Sequence, residues 1–330
     1  MQSKPLNHLF GAALLAIGAI GSVASLPAHA APFSSVVIFG DSLSDSGNNK
    51  LAGLFNPAQV VTGDTYIPTF TYASGVYSNG PTWATQFTAS LGLSAIPSLG
   101  GGSNYAFGGA TTSGAGFPYS LTAQVGQFLT AHPVAASDAL YVIEGGGNNL
   151  RDAAKALSAP GLSFAQQISI ISDNASRFAT DIGNMVDSLQ AAGAQNIIVW
   201  NTPNFAATPF ADATSTQYIS GLLGDTMNSA LAYRLSTETG VKTFDVFGLM
   251  STIAANPAAY GLANVSDACG AAINNCDPAT ALFWDAIHPT AKGHQLIAGA
   301  MMAAAVPEPA TYLMFALGLA GLVAWQRRRV

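Results

Sequence analysis

Four short apolar runs divide the body of the chain. They are Ser35–Phe39 (SVVIF), Leu140–Glu144 (LYVIE), Asn196–Asn201 (NIIVWN) and Lys242–Phe247 (KTFDVF). Each is rich in β-branched or aromatic residues and stands beside Gly, Asn or Asp, the pattern of a strand buried on both faces. Longer segments between them read as helices. Pro81–Leu91 has proline at its start and Gly92 after its end, and Phe164–Ala192 is long, amphipathic and followed by Gly193. Ser215–Thr239 and Thr290–Ala304 are the other helix candidates. Strands alternating with helices predict a parallel sheet covered on both faces, with ligands bound outside the carboxyl ends of the strands. The stretch from about residue 50 to 120 has poor periodicity and many Gly, Ser, Thr, Pro and aromatic residues. It reads as loops with little regular structure that form one wall of a substrate site.

The two ends depart from this pattern. Lys4, the apolar run Leu9–Ser25 and the small-x-small site Ala28-His29-Ala30 make residues 1–30 a secretory signal, cut by a signal peptidase to leave Ala31 first. A permanent anchor is the weaker reading, because the apolar run is short. At the other end Val306-Pro307-Glu308-Pro309 leads into the apolar run Ala310–Trp325 and then Arg327-Arg328-Arg329. That run is shorter than the roughly 20 residues a bilayer core demands, and the arginines would keep its end in the cytoplasm. Pro-Glu-Pro, one apolar helix and a basic terminus in that order resemble the PEP-CTERM sorting signal of Gram-negative bacteria. The resemblance implies removal of residues 306–330 by an exosortase-like membrane protease after transient anchoring in the inner membrane. The protein is then expected in the periplasm, on the outer surface or in the extracellular matrix. Residues 31–305 remain as one domain.

Composition narrows the function. Apolar residues make up 49% of the chain and charged ones only 8%. Without Lys4, Glu308 and the three terminal arginines, the body carries 16 acidic and 7 basic residues. A nucleic-acid binder needs a basic footprint to release counterions, so that class is excluded; a neutral or lipid-like substrate suits the acidic body. An exported chain with two cysteines, Cys269 and Cys276, is expected to form a single local disulfide, worth about 2–3 kcal/mol in the chain-entropy picture. Two unrelated thiols remain the alternative.

Candidate chemistry sits in four places. Gly40-Asp41-Ser42 directly follows the first strand, where backbone N–H groups would face an anion forming beside the hydroxyl; helix capping by Asp or Ser is the competing reading. Asp285-Ala286-Ile287-His288 lets one turn join a carboxylate to an imidazole, the pairing a general base uses. His132 lies in a turn without a nearby carboxylate, and His294 falls within the last helix as a structural or exposed residue. Asn104–Thr111 (NYAFGGAT) and Glu144–Asn149 (EGGGNN) are glycine-rich turns that offer backbone and amide donors to an oxyanion. No Gly-x-Ser-x-Gly elbow appears, no close His pair or His-Glu cluster calls for a metal, and no P-loop or dinucleotide fingerprint calls for a nucleotide cofactor.

The order of these four blocks resembles the GDSL (SGNH) hydrolase family over residues 36 to about 300. The resemblance implies a three-layer α/β/α sandwich of flavodoxin-like type and a secreted lipase or esterase that uses neither metal nor cofactor. It assigns Ser42 as nucleophile, His288 as base and Asp285 as its acid, with an oxyanion hole from Ser42 N–H, Gly109 N–H and the Asn148 amide; Gly108 competes for the glycine role. The Cys269/Cys276 loop resembles that of the lipase and haemolysin-like branch. Where the family commonly has Gly-x-Asn-Asp, this chain has Asn149. Phe55, Tyr66, Phe70, Tyr72, Tyr77 and Trp83 have two readings of equal weight: they line an apolar acyl pocket, or they pack their loop onto the domain. The substrate is an ester of a lipid, small molecule or polysaccharide, and hydrolysis, O-acetyl removal and acyl transfer are all compatible. A non-catalytic surface protein that binds exopolysaccharide matrix on the same fold is the other reading.

Overall fold

The computed structural model describes residues 32–54, 60–65, 71–72 and 74–306. The leader, the terminal tail and the aromatic residues Phe55, Tyr66 and Phe70 lie outside the described residues.

Four parallel strands form the sheet: β1 (Val36–Phe39), β2 (Leu140–Ile143), β3 (Asn196–Trp200) and β4 (Val241–Phe244), side by side in that order. Alternate side chains of each strand point to opposite faces; both faces are buried in β1, β2 and β3, whereas Lys242 and Thr243 of β4 are exposed. Val37, Phe39, Tyr141, Ile143, Ile197 and Val199 enter one core; Val36, Ile38, Leu140, Val142, Ile198 and Trp200 enter the other. This explains why the strands read as continuous apolar runs instead of alternating ones.

The helices in chain order are α1 (Trp83–Ser90), α2 (Leu121–Ala131), α3 (Gly147–Leu157), α4 (Phe164–Ala191), α5 (Pro209–Ala213), α6 (Gln217–Leu235), α7 (Val246–Ala255) and α8 (Ala291–Ala305). α2, α3, α4 and α6 pack on one face of the sheet; α1, α7 and α8 pack on the other. The result is a three-layer α/β/α sandwich. Ser163 and Gln166 form a capping box at the start of α4, and Thr290 caps α8 through the N–H of Gly293.

The loop-rich reading of residues 50–120 needs correction at its end. Residues 103–107 run beside β1 on the side away from β2: Ile38 N–H donates to Ser103 O, Tyr105 N–H to Ile38 O and Phe107 N–H to Gly40 O. This segment acts as a rudimentary edge strand inserted in the chain between β1 and β2, which yields the flavodoxin-like order with the switch point at β1. The fourth strand also ends earlier than expected. Asp245 accepts the N–H of Gly248 at 2.8 Å and caps α7, so Val246 and Phe247 are helical. Among the described residues, no helix is long and apolar enough to cross a membrane.

The floor under the strand ends is Phe178 of α4, fully buried; a Cβ on Gly146 would stand 2.6 Å from its ring. Phe178→Ala is expected to cost about 3–5 kcal/mol, read as a lower midpoint in denaturant unfolding; an unchanged midpoint would show that α4 does not support this turn.

Candidate active site

Ser42 stands at the carboxyl end of β1, where the chain turns into a single helical turn. Ser44 N–H and Asp45 N–H both donate to Asp41 O, and Leu43 N–H donates to Asp41 Oδ1 at 3.0 Å. Asp41 therefore supplies the cap, and the Ser42 hydroxyl is left for another partner. That partner comes from the far end of the body. His288 Nε2 lies 2.7 Å from Ser42 Oγ, and His288 Nδ1 lies 2.6 Å from Asp285 Oδ2.

The loop carrying His288 is tightly made. Asp285 Oδ1 accepts the N–H groups of Ile287 and His288 at 2.8 and 2.6 Å, and Trp284 N–H donates to His288 O. Asp285 is fully buried, and its Oδ2 also accepts the hydroxyl of Tyr72 at 2.6 Å. Tyr72 thus orients the carboxylate instead of lining an acyl pocket. Trp83 is buried against Trp200, 4.5 Å between ring centroids. Tyr77 does face the site, stacked obliquely 5.2 Å from the His288 ring. Burial first, then nearby Asp45, Asp285 and Asp41 against the Asn49 hydrogen bond, pushes the Tyr77 hydroxyl up to about 12. Cys269 and Cys276 are joined as a disulfide, with Cα atoms 5.4 Å apart, in the loop that precedes Asp285.

Donors gather beside Ser42. The N–H groups of Ser42 and Gly109 donate to no acceptor among the described residues. Gly108 differs: its N–H donates to Asp45 Oδ2 at 3.0 Å, and a Cβ there would run into the Tyr77 ring at 2.1 Å. Its lack of a side chain serves packing, whereas Gly109 has a φ of +86°, which suits glycine. Asp45 organises this wall by also accepting the N–H groups of Gly47, Asn48 and Asn49. On the other side, Asn148 opens α3 and its Nδ2 donates to Ala110 O at 2.9 Å and to Asp41 Oδ2 at 3.3 Å.

Asn149 has a local reason. Its Oδ1 accepts Thr112 N–H and its Nδ2 donates to Thr112 Oγ1, while that hydroxyl donates to Asp181 at 2.7 Å. An aspartate at 149 would set two carboxylates against one hydroxyl proton. The amide satisfies the same loop without that repulsion.

His294 is fully buried in α8, not exposed; burial holds its imidazole near a pKa of 3 and therefore neutral. His132 stacks on Phe128 with 4.9 Å between centroids and lines neither of the two spaces at Ser42.

Beneath the nucleophile lies a carboxyl pair that the sequence reading did not assign. Glu144, at the end of β2, accepts Asp41 N–H at 3.2 Å and Ser44 Oγ–H at 2.7 Å on one oxygen; its other oxygen meets no donor. Burial first, then the charge of Asp41, raises the Glu144 carboxyl well above its ordinary range; burial also raises Asp41, opposed by Leu43 N–H and the His288 charge. A carboxyl buried beside a second carboxyl favours its neutral form, so Glu144 keeps a proton above the ordinary carboxyl range. The carboxyl also explains Gly40, where a Cβ would stand 2.6 Å from Glu144 Oε2. The folded state binds this proton above the unfolded value near 4.5. Its contribution is therefore full at lower pH and lost as pH rises toward the folded value. Thermal melts of Glu144→Gln should gain on the parent protein as pH rises from 5 to 8, and Glu144→Ala should melt lower throughout. A Gln variant whose difference from the parent ignores pH would contradict the protonated Glu144.

Comparison with known proteins agrees with this architecture. The GDSL-like Lipase/Acylhydrolase family model matches residues 36–301, and the PEP-CTERM protein-sorting motif matches 305–329. Esterase EstA of Pseudomonas aeruginosa is 29% identical over 90% of this chain and 50% of its own length. Thermolabile hemolysin of Vibrio parahaemolyticus is 23% identical over 82% of this chain and 63% of its own. The chain spans about half the length of EstA. An extracellular lipase from Streptomyces rimosus is similar at 19% identity and a TM-score of 0.45, covering 82% of this chain and 99% of that one. With the family model spanning nearly all of the sandwich, the chain belongs to the GDSL-like lipase/acylhydrolase family.

Proposed function

We propose that this protein is an exported carboxylic ester hydrolase that works through an acyl-enzyme on Ser42. The observation that carries the reading is the imidazole of His288 set between the Ser42 hydroxyl at 2.7 Å and the buried Asp285 carboxylate at 2.6 Å. With the Nδ1 proton donated to Asp285, Nε2 is free to take the proton of Ser42 Oγ as the oxygen attacks the ester carbonyl. The carbonyl π pair moves onto its oxygen, where Ser42 N–H and Gly109 N–H are unspent donors. Asn148 adds a third: its 3.3 Å bond to Asp41 is the weaker of two and the one an oxyanion would displace. The tetrahedral intermediate collapses, the bond to the alcohol oxygen breaks, and His288 returns its proton to that oxygen. Water then attacks the acyl carbon, His288 takes a proton from it, and Ser42 is released with the carboxylic acid.

Two spaces meet at Ser42 and His288. One is a narrow apolar pocket of about 40 Å³ beside Leu43, Phe205, Met250, Ile287 and Ile297. The other is a wide cavity of about 770 Å³ that also touches Gly109, Tyr77 and α3. The narrow pocket is the place for the acyl chain and the wide one for the alcohol. A substrate with a short acyl group on a larger alcohol fits this division. Residues 1–30 and 306–330 support export, processing by signal peptidase and an exosortase-like protease, and a final place in the periplasm, on the surface or in the matrix of a Gram-negative bacterium. Residues 31–305 are the hydrolase domain.

Ser42→Ala should abolish hydrolysis of p-nitrophenyl esters with the thermal melt retained. Full activity in that variant removes the reading. Asn148→Ala should lower turnover by about 10²–10³, measured at saturating substrate. Across p-nitrophenyl esters, kcat/KM should peak at acetate to butyrate and fall for long chains; a maximum at dodecanoate or beyond would assign the acyl chain to the wide cavity.

A further inference from the structure

We infer that Arg151 and Lys155 form an anion subsite in the wide cavity, one that reads a phosphate or carboxylate on the alcohol half of the substrate. The inference rests on the ester-hydrolase reading for which half of the substrate lies there, but not for the existence of the subsite.

α3 carries Asn148 in its first turn, and Arg151 and Lys155 follow three and seven residues later on the same face. All three lie on the wall of the wide cavity with Ser42 and His288. At the rise of an α-helix, the two cations are stationed about 4.5 and 10.5 Å beyond Asn148 along the axis. Arg151 also borders the narrow pocket, so it stands where the two spaces join.

The guanidinium of Arg151 is poorly served by the protein. Its side chain is 31% exposed, yet its one ionic contact among the described residues is Asp152 Oδ1 at 3.8 Å, beyond hydrogen-bond reach, and Asp152 is itself 62% exposed. Arg234 makes the contrast. At 28% exposure it donates to Asp187 at 2.6 Å and to Glu238 as well. Where this fold uses a guanidinium structurally, it gives it carboxylates. Five N–H donors in a planar fork, partly withdrawn from water and without an acceptor, match a ligand oxyacid. Lys155 makes no ion pair among the described residues. It supplies a second charge farther out.

Charge placement points the same way. The body holds 16 acidic and 7 basic residues, yet two of those basic residues line this one cavity, where the single carboxylate is that of Asp152. A cavity whose sign opposes that of the molecule concentrates anions that the rest of the surface repels. Burial raises the carboxyl pKa of Asp41, and the charge of Arg151 is one of the smaller influences opposing that rise. A purely structural role for the arginine would stop there and would not distinguish one ester from another.

The test compares three matched esters: glycerol 1-butyrate, its 3-phosphate, and 3-butyryl glycerate. The full chain should give kcat/KM at least about tenfold higher for one or both anionic esters. Whichever is favoured identifies phosphate or carboxylate as the group read. In Arg151→Gln/Lys155→Gln the anionic-to-neutral ratio should fall to near one. Lys155→Gln alone, on an exposed side chain, should lower it severalfold and decides the matter if the double variant does not fold. A parent ratio near one, or a ratio that survives the substitutions, overturns the subsite. Should the parent hydrolyse none of the three, calorimetric titration with glycerol 3-phosphate separates the two claims. Binding that the substitutions abolish upholds the subsite and removes the hydrolase reading; no binding overturns the subsite.

Discussion

The buried carboxylate of Asp285 is the constraint around which the site is arranged. A fully buried carboxylate is costly unless donors surround it. Here it has the N–H groups of Ile287 and His288, the Nδ1 side of the His288 ring and the hydroxyl of Tyr72. Those partners fix the tautomer of the imidazole and aim its other nitrogen at Ser42. Tyr72 ties the loop-rich part of the chain to its C-terminal block, and His288 ties that block to the first strand. Loss of the Asp285 charge would therefore loosen three distant segments at once.

The sheet provides the frame for this arrangement. β1 and β2 are adjacent and parallel, so the turns that follow them, Gly40-Asp41-Ser42 and Glu144 to Asn148, meet at the same end. The meeting is close enough that Glu144 accepts both Asp41 N–H and the Ser44 hydroxyl on one oxygen. The edge segment at 103–107 continues into Gly108 and Gly109, bringing a backbone N–H to the opposite flank of Ser42. Ser42, the N–H of Gly109, the Asn148 amide and the α3 wall thus belong to one corner of an α/β/α sandwich. The same corner divides space into a narrow apolar side and a wide side carrying Arg151 and Lys155.

Much of this was legible from the residues, for identifiable reasons. Buried parallel strands are continuous apolar runs, so β1, β2 and β3 stand where the runs stand, to within a residue at either end. The fourth run extended too far because an apolar stretch does not reveal its period, and the N-cap signal in Asp245 was the available clue. α7 begins inside the fourth apolar run, and α3 begins inside a glycine-rich turn that reads as loop. The edge segment at 103–107 escaped because its pairing consists of three bonds to β1 and leaves no apolar alternation. Ser42, Asp285, His288, Gly109 and Asn148 could be singled out as candidates from motif order. Glu144, Asp45 and Tyr72 could not. Their roles arise from contacts across about 60 to 213 residues of chain, for which no local spacing exists. Among the described aromatic residues of the loop-rich stretch, Tyr72 and Trp83 pack within the domain and Tyr77 borders the cavity at Ser42, a division that side-chain type alone does not reveal.

The central claim is that His288 and Asp285 activate the hydroxyl of Ser42. Labelling by a fluorophosphonate probe, with the adduct mapped by peptide mass spectrometry, addresses it most directly. The account predicts rapid, stoichiometric modification at Ser42 alone, lost in His288→Ala. A folded protein inert to the probe, as a matrix-binding protein on this fold would be, or one modified at another serine, would contradict it.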